Sequence, residues 1–123
     1  MLIAMGSVAA SAADWIYYGR SKGGTISYYD RESVQYFVSD SEEYVTVWTK
    51  AIEPEGGSFI VRFQLARNAH MLRMLSAIYY AANGKQDSSS QGAGTWIEIF
   101  PESTGEALYN ALFKARDRGK KSL

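Results

Sequence analysis

The chain has no cysteine, a single histidine, two prolines and a formal net charge of zero. Each shortage excludes a chemistry. Without a thiol there is no cysteine nucleophile, no thiolate metal site and no disulfide staple, so packing alone must hold the fold. A lipid anchor of the bacterial lipoprotein type needs a cysteine at its cut site, and none is available; the mature chain is expected to be freely soluble, without a membrane anchor. With His70 as the only histidine, neither a multi-histidine zinc site nor a His-Glu-x-x-His helix can be built. A Ser-His-Asp triad would have to centre on His70, whose neighbours show no Gly-x-Ser-x-Gly pattern. Gly92-Ala-Gly94 is not followed by Lys-Ser/Thr and has no strand in front of it, so it is no phosphate cradle. No catalytic residue, metal site or cofactor is therefore expected, and cofactor-binding residues stay unassigned.

What is present begins with residues 1–12, which hold no charge, a short apolar run too brief to cross a bilayer, and the small-x-small sequence Ala10-Ser11-Ala12. They read as a truncated secretory signal peptide lacking its positive amino-terminal part. Cleavage there starts the mature chain near Ala13, outside the cytoplasm, in the periplasm, at the cell surface or secreted. Removing these twelve from 123 residues leaves 111, enough for one domain and not for two. We place that domain at residues 13–116, followed by a basic tail at 117–123. Lys114, Arg116, Arg118, Lys120 and Lys121 against Asp117 give the last ten residues a net charge of +4, leaving −4 for the rest. Such an end reads as a solvated helix terminus whose cations suit the helix dipole, and no nucleic-acid partner is expected.

The body reads as short strands separated by turns. Candidate strands are Asp14 to Arg20, Thr25 to Tyr29, Val34 to Val38, Tyr44 to Ile52 and Phe59 to Leu65, with turns at Gly23-Gly24, at Asp40 to Glu43 and at Pro54 to Gly57. In the fourth, Val45 and Val47 fall on one side and Thr46, Trp48 and Lys50 on the other. In the fifth, Phe59, Val61, Phe63 and Leu65 share a side opposite Arg62 and Gln64. A period of two sends alternate side chains to opposite faces, so these are half-buried antiparallel strands. Leu65 to Ala82 is ambiguous: Met71, Met74, Leu75 and Ile78 fit a helical face, while a strand from Met71 to Tyr80 would be apolar on both faces. Asn83 to Gly94 reads as a polar, flexible loop. Strand character resumes from Thr95 to Phe100. A helix then opens with Ser103 as N-cap and Glu106 completing a capping box; its apolar stripe is Leu108, Ala111, Leu112 and Ala115, with Tyr109 and Phe113 on the shoulder.

Paired carboxylates are the remaining route to catalysis, but Asp30 with Glu32, Glu42 with Glu43, and Glu53 with Glu55 sit at turns where acids are solvated. Glu98 lies mid-strand, on the face of Trp96 and Phe100, and is expected to pair with Arg62 or Arg73. Aromatics are in excess: Trp15, Tyr17, Tyr18, Tyr28, Tyr29, Tyr36 and Tyr44 exceed what one face of a small sheet needs. Binding surfaces favour tyrosine and tryptophan for their large area and few rotors.

The order of motifs resembles a known family. Asp14-Trp-Ile-Tyr-Tyr-Gly19 is followed by Ser27-Tyr-Tyr-Asp-Arg-Glu-Ser-Val34 and Tyr44-Val-Thr-Val-Trp48. Then come Arg73-Met-Leu-Ser-Ala-Ile-Tyr-Tyr80 and Trp96-Ile-Glu-Ile-Phe-Pro-Glu-Ser-Thr104. From about Asp14 to Phe113 this is similar to the bacterial surface-adhesin protein E family of small exported domains in Gram-negative bacteria. The resemblance implies an α+β fold, a single antiparallel sheet of about six strands with a C-terminal helix packed against it, and makes Met71 to Tyr80 a strand. It also implies a non-enzymatic, adhesin-like role, with host matrix or envelope proteins as partners and haemin as the small-ligand alternative; His70, Met71, Met74 or a tyrosine would then be the axial ligand. A cryptic hydrolase is the weakest alternative. Many such relatives carry two cysteines; Arg67 and Phe113, or their neighbours, stand at those places in this chain.

Overall fold

A computed structural model describes residues 13–121, so the expected leader at 1–12 lies outside the described residues. Eight strands form one antiparallel sheet: β1 Trp15–Arg20, β2 Ile26–Asp30, β3 Gln35–Ser39, β4 Glu42–Ile52, β5 Ser58–Ala66, β6 Met71–Tyr80, β7 Gln86–Gln91 and β8 Ile97–Glu98. They stand in about six columns, because β2 and β3 share one edge of β4 while β7 and β8 share one edge of β6. β4 is the spine. Its eleven residues pair with β2 at one end, with β3 at the other, and with β5 along its whole length. The joint between β2 and β3 is a 3₁₀ turn, Arg31–Ser33, fixed by Asp30. Asp30 Oδ1 accepts the N–H of Asp14 and of Glu32, and Ser33 Oγ donates to the Asp30 carbonyl while accepting the Trp48 N–H.

Several local expectations change. The turn before β4 is two residues long, Asp40 and Ser41, with φ of 52° and 69°, the left-handed pair that tight hairpins require. Glu42 and Glu43 accordingly belong to the strand. Met71 to Tyr80 is a strand, as the family resemblance implies and its helix-forming composition does not. Its pairing with β5 runs from Ala66↔Met71 to Ser58↔Tyr80; alternation puts Met71 and Met74 on opposite faces, and a bulge at Leu75 then sets Ser76 on the same face as Arg73. The segment read as a flexible loop contains β7. Pairing with the edge of β6 needs only backbone groups, so Gln86 to Gln91 form a strand with every side chain exposed. The last strand shrinks to Ile97–Glu98.

The C-terminal helix comprises α1 Thr104–Tyr109, a π-helical segment Asn110–Lys114 and α2 Ala115–Lys121. Ser103 Oγ accepts the Glu106 N–H, and Glu106 Oε1 accepts the N–H of Glu102, one residue before the cap. Leu108, Tyr109, Leu112 and Phe113 are buried against Val45, Val47, Leu65, Leu72 and Ile99, which form the core. Tyr109 and Phe113 are thus core residues rather than shoulder, and Ala115 is exposed. The wide π turn rotates the later residues away from a 3.6-residue period, which brings Phe113 onto the sheet.

An ionic clasp ties the end of this helix to the sheet. Arg116 holds Glu43 through two contacts of 2.5 and 2.9 Å, Arg67 pairs with Glu43 at 3.5 Å and with Asp117, and Arg116 reaches Asp117 at 3.1 Å. Residue 117, placed by the sequence in a loose tail, is therefore anchored. The Arg116 guanidinium also lies 4.5 Å over the Tyr36 ring, and Tyr36 donates to the Leu112 carbonyl at 2.5 Å. The hydrogen bond from Arg116 to Glu43 holds the guanidinium proton more tightly than usual. Among the described residues no helix is long and apolar enough to cross a membrane.

Candidate functional site

The helix packs on one face of the sheet and leaves the other open. Cross-strand registers lay that open face out as a grid. One rung carries Phe37, Tyr44, Ala66 and Met71; the next Gln35, Thr46, Gln64 and Arg73; the third Trp48, Arg62 and Ser76; the fourth Tyr17, Tyr28, Lys50, Ile60 and Ile78. Trp15 and Trp96 flank the grid, each under a cation: Lys50 Nζ lies 4.7 Å from the Trp15 ring centre and the Arg73 guanidinium 4.6 Å from that of Trp96. Tyr44 bridges the Phe37 ring at 5.2 Å, stacked, and the Trp96 ring at 6.0 Å. Tyr17 meets Tyr28 edge-on at 6.2 Å.

The cations of this face differ from those of the clasp. Arg73 Nε donates to Gln64 Oε1 at 2.9 Å, which fixes its stem, but no carboxylate meets its guanidinium. Arg62, half-buried at the centre of the grid, has no hydrogen-bond or ion-pair partner among the described residues. The acid at this level of the face is Asp30, the cross-strand partner of Trp15, whose Oδ1 accepts the N–H groups of Asp14 and Glu32; the second and fourth rungs carry no acid among the described residues. Glu98, expected to serve Arg62 or Arg73, is exposed at the end of β6 opposite Met71 and forms no ion pair among the described residues; β8 is too short to carry it across the sheet.

Of the tyrosines singled out by sequence, Tyr17, Tyr28 and Tyr44 belong to the open face with Trp15. Tyr18, Tyr29 and Tyr36 pack on the helix side. Burial pushes the Tyr18 hydroxyl above its ordinary pKa, against the opposing hydrogen bond with Ser27. His70 takes φ of 57° in the hairpin between β5 and β6, its N–H donating to the Ala66 carbonyl and its ring edge-on to Tyr109 at 4.5 Å. That is a turn-and-packing role. His70, Met71 and Met74 do not converge: Met71 lies beside Tyr44 and Trp96, whereas Met74 faces the helix side. Among the described residues no three acidic or histidine side chains gather as a metal site would need.

One hollow of about 210 Å³ lies on the open face between Tyr44, Ala66, Met71 and Trp96, and larger concavities lie on the helix side. The largest, about 550 Å³, opens between the β1–β2 turn and the start of the helix. It sets Arg20 and Lys22 against Glu102 and Glu106, and the Glu106 carboxylate and Ser103 hydroxyl are engaged in the helix cap. Two apolar hollows of about 280 Å³ each share Phe63, Leu72 and Ile97. The cross-strand pairing of Trp48 with Arg62 and the stacking of Arg73 on Trp96 were not read from the sequence. Alternation assigned Trp48 to one side of β4 and Arg62 to one side of β5, but only the register makes those the same side. No protein-family model, curated protein or solved structure matches the chain.

Proposed function

We propose that this is an exported, adhesin-like binding protein that engages a macromolecular partner through the open face of its sheet and alters no covalent bond. The observation that carries the reading is that face itself: seven aromatic side chains, Trp15, Tyr17, Tyr28, Phe37, Tyr44, Trp48 and Trp96, interleaved with Lys50, Arg62 and Arg73 on a surface that no helix among the described residues covers. Interface centres are enriched in tryptophan, tyrosine and arginine for their desolvated area and directional donors. The motif order resembling the surface-adhesin protein E family supports the same role, a host matrix or envelope protein as partner, and a site of action in the periplasm or beyond. Haemin has weaker support, since His70 is turned against Tyr109.

A photo-crosslinking residue at position 48, in the open face, and another at exposed position 114, on the helix, test the reading. Incubated with envelope extract and purified matrix proteins, the first is expected to give discrete adducts and the second none. Equal labelling from both positions, or turnover of a substrate abolished by replacing one polar side chain, would sink it. Amino-terminal sequencing of native protein tests export: a mature end near Ala13 is expected, and an intact Met1 in the cytosol would overturn that part.

A further inference from the structure

Resting on the open face as the working surface, we infer that its partner is an extended protein segment bearing carboxylates at alternate positions, seated along the diagonal from Lys50 through Arg62 to Arg73. The three cations occupy successive rungs and successive strands, β4, β5 and β6. One rung is two residues, about 6.8 Å, and one strand spacing is about 4.8 Å, so neighbouring cations stand about 8 Å apart along the diagonal. An extended chain repeats its side chains on one face every 6.6–6.8 Å or so, close enough for flexible lysine and arginine heads to meet each one. The charge pattern favours an anionic occupant. Arg62 has five donors and no acceptor among the described residues, and the acid at the level of these rungs, Asp30 on β2, is two strands from Arg62 with its Oδ1 accepting the Asp14 and Glu32 N–H groups.

The arrangement is also prepared. Lys50 rests on Trp15, and Arg73 is held by Trp96 and Gln64, so two of the three side chains lose little freedom on binding. Three of the arginines elsewhere answer to acids of this chain: Arg31 to Asp14, Arg67 and Arg116 to Glu43 and Asp117. The diagonal differs in setting three cations on successive strands of one sheet face. A single-stranded nucleic acid is anionic too, but its binding relies on open aromatic faces for base stacking, and both flanking indoles already carry a cation on one face.

The test is fluorescence anisotropy with a labelled short peptide of alternating glutamate and serine. Controls are its glutamine–serine counterpart, an oligothymidylate and a heparin oligosaccharide. The glutamate peptide is expected to bind about tenfold or more tightly than the glutamine peptide and to weaken as salt rises from about 50 to about 300 mM. Arg62→Gln and Arg73→Gln are each expected to weaken it roughly fivefold or more, with unchanged circular dichroism as proof of folding. Equal binding of the two peptides, insensitivity to Arg62→Gln, or tighter binding of the oligothymidylate or heparin would overturn the inference. If the peptide fails while crosslinks from position 48 to a protein persist, the acidic-segment idea falls and the open face stands as a binding surface; if both fail, both readings fall.

Discussion

The two faces of the sheet use the same residue types to opposite ends. On the helix side, Arg67 and Arg116 are closed into a clasp with Glu43 and Asp117, and Tyr109 and Phe113 are sealed in the core. On the open side, Arg62 meets no acid, Arg73 and Lys50 rest on indoles, and Tyr17 is 57% exposed. An arginine paired within its own chain has its hydrogen bonds satisfied and adds to stability; an unpaired one on a half-buried sheet is available to a partner. One face therefore carries the core and the clasp, and the other leaves cations and aromatic rings without a covering helix among the described residues.

Four measurements would break or sharpen that contrast. The largest effect belongs to Phe113→Ala, which empties the centre of the core: urea unfolding should show a loss of about 3–5 kcal/mol. A loss no greater than that of Trp48→Ala would erase the distinction between the faces. Next is Glu43→Gln, which leaves Arg67 and Arg116 short of their shared anion at a partly exposed site. We expect a loss of about 1–2 kcal/mol, shrinking in high salt; a salt-independent loss would mean packing rather than charge.

A smaller effect concerns Glu42. Burial alone would raise its pKa, but the N–H groups of Asn68, Ala69 and Glu43 outweigh it and hold the carboxyl below the usual carboxylate range. Because the native pKa is depressed, the stabilisation is fully present above the unfolded carboxylate pKa and disappears as pH falls through the native one. The stability gap between wild type and Glu42→Gln should close on acidification below about pH 4. A gap that stays constant with pH would show that the amide serves the hairpin as well as the carboxylate. The smallest effect is that of Arg62→Gln on folding, expected within about 0.5 kcal/mol despite its consequence for binding. A larger loss, seen in thermal melts, would make Arg62 a structural residue and remove it from the open face's function.

Much of this architecture was legible from local pattern. Period-two alternation in Tyr44 to Ile52 and Phe59 to Leu65 assigned Val45, Val47 and Leu65 to the core, and Ser103 with Glu106 marked the helix start. What alternation cannot carry is which side of one strand meets which side of the next, so the Trp48–Arg62 pairing and the Lys50–Arg62–Arg73 diagonal stayed hidden until register was known. Composition also misleads at both extremes. Met71 to Tyr80 is rich in helix formers yet lies between two strand edges that need partners, and Gln86 to Gln91 lack any apolar residue yet complete one of those edges. The π turn at Asn110–Lys114 has a wider period than 3.6 residues, and the apolar stripe read at that spacing included the exposed Ala115 and left the buried Phe113 on its shoulder.

The clasp between Arg67 and the last helix spans the region where many members of the resembled family carry two cysteines and this chain has none. A bond made of charge has no dependence on the redox poise of its surroundings. Reductants leave the helix docked, so the fold assembles equally in a reducing or an oxidising compartment and needs no oxidoreductase to mature. Its sensitivity is to acidity and ionic strength instead.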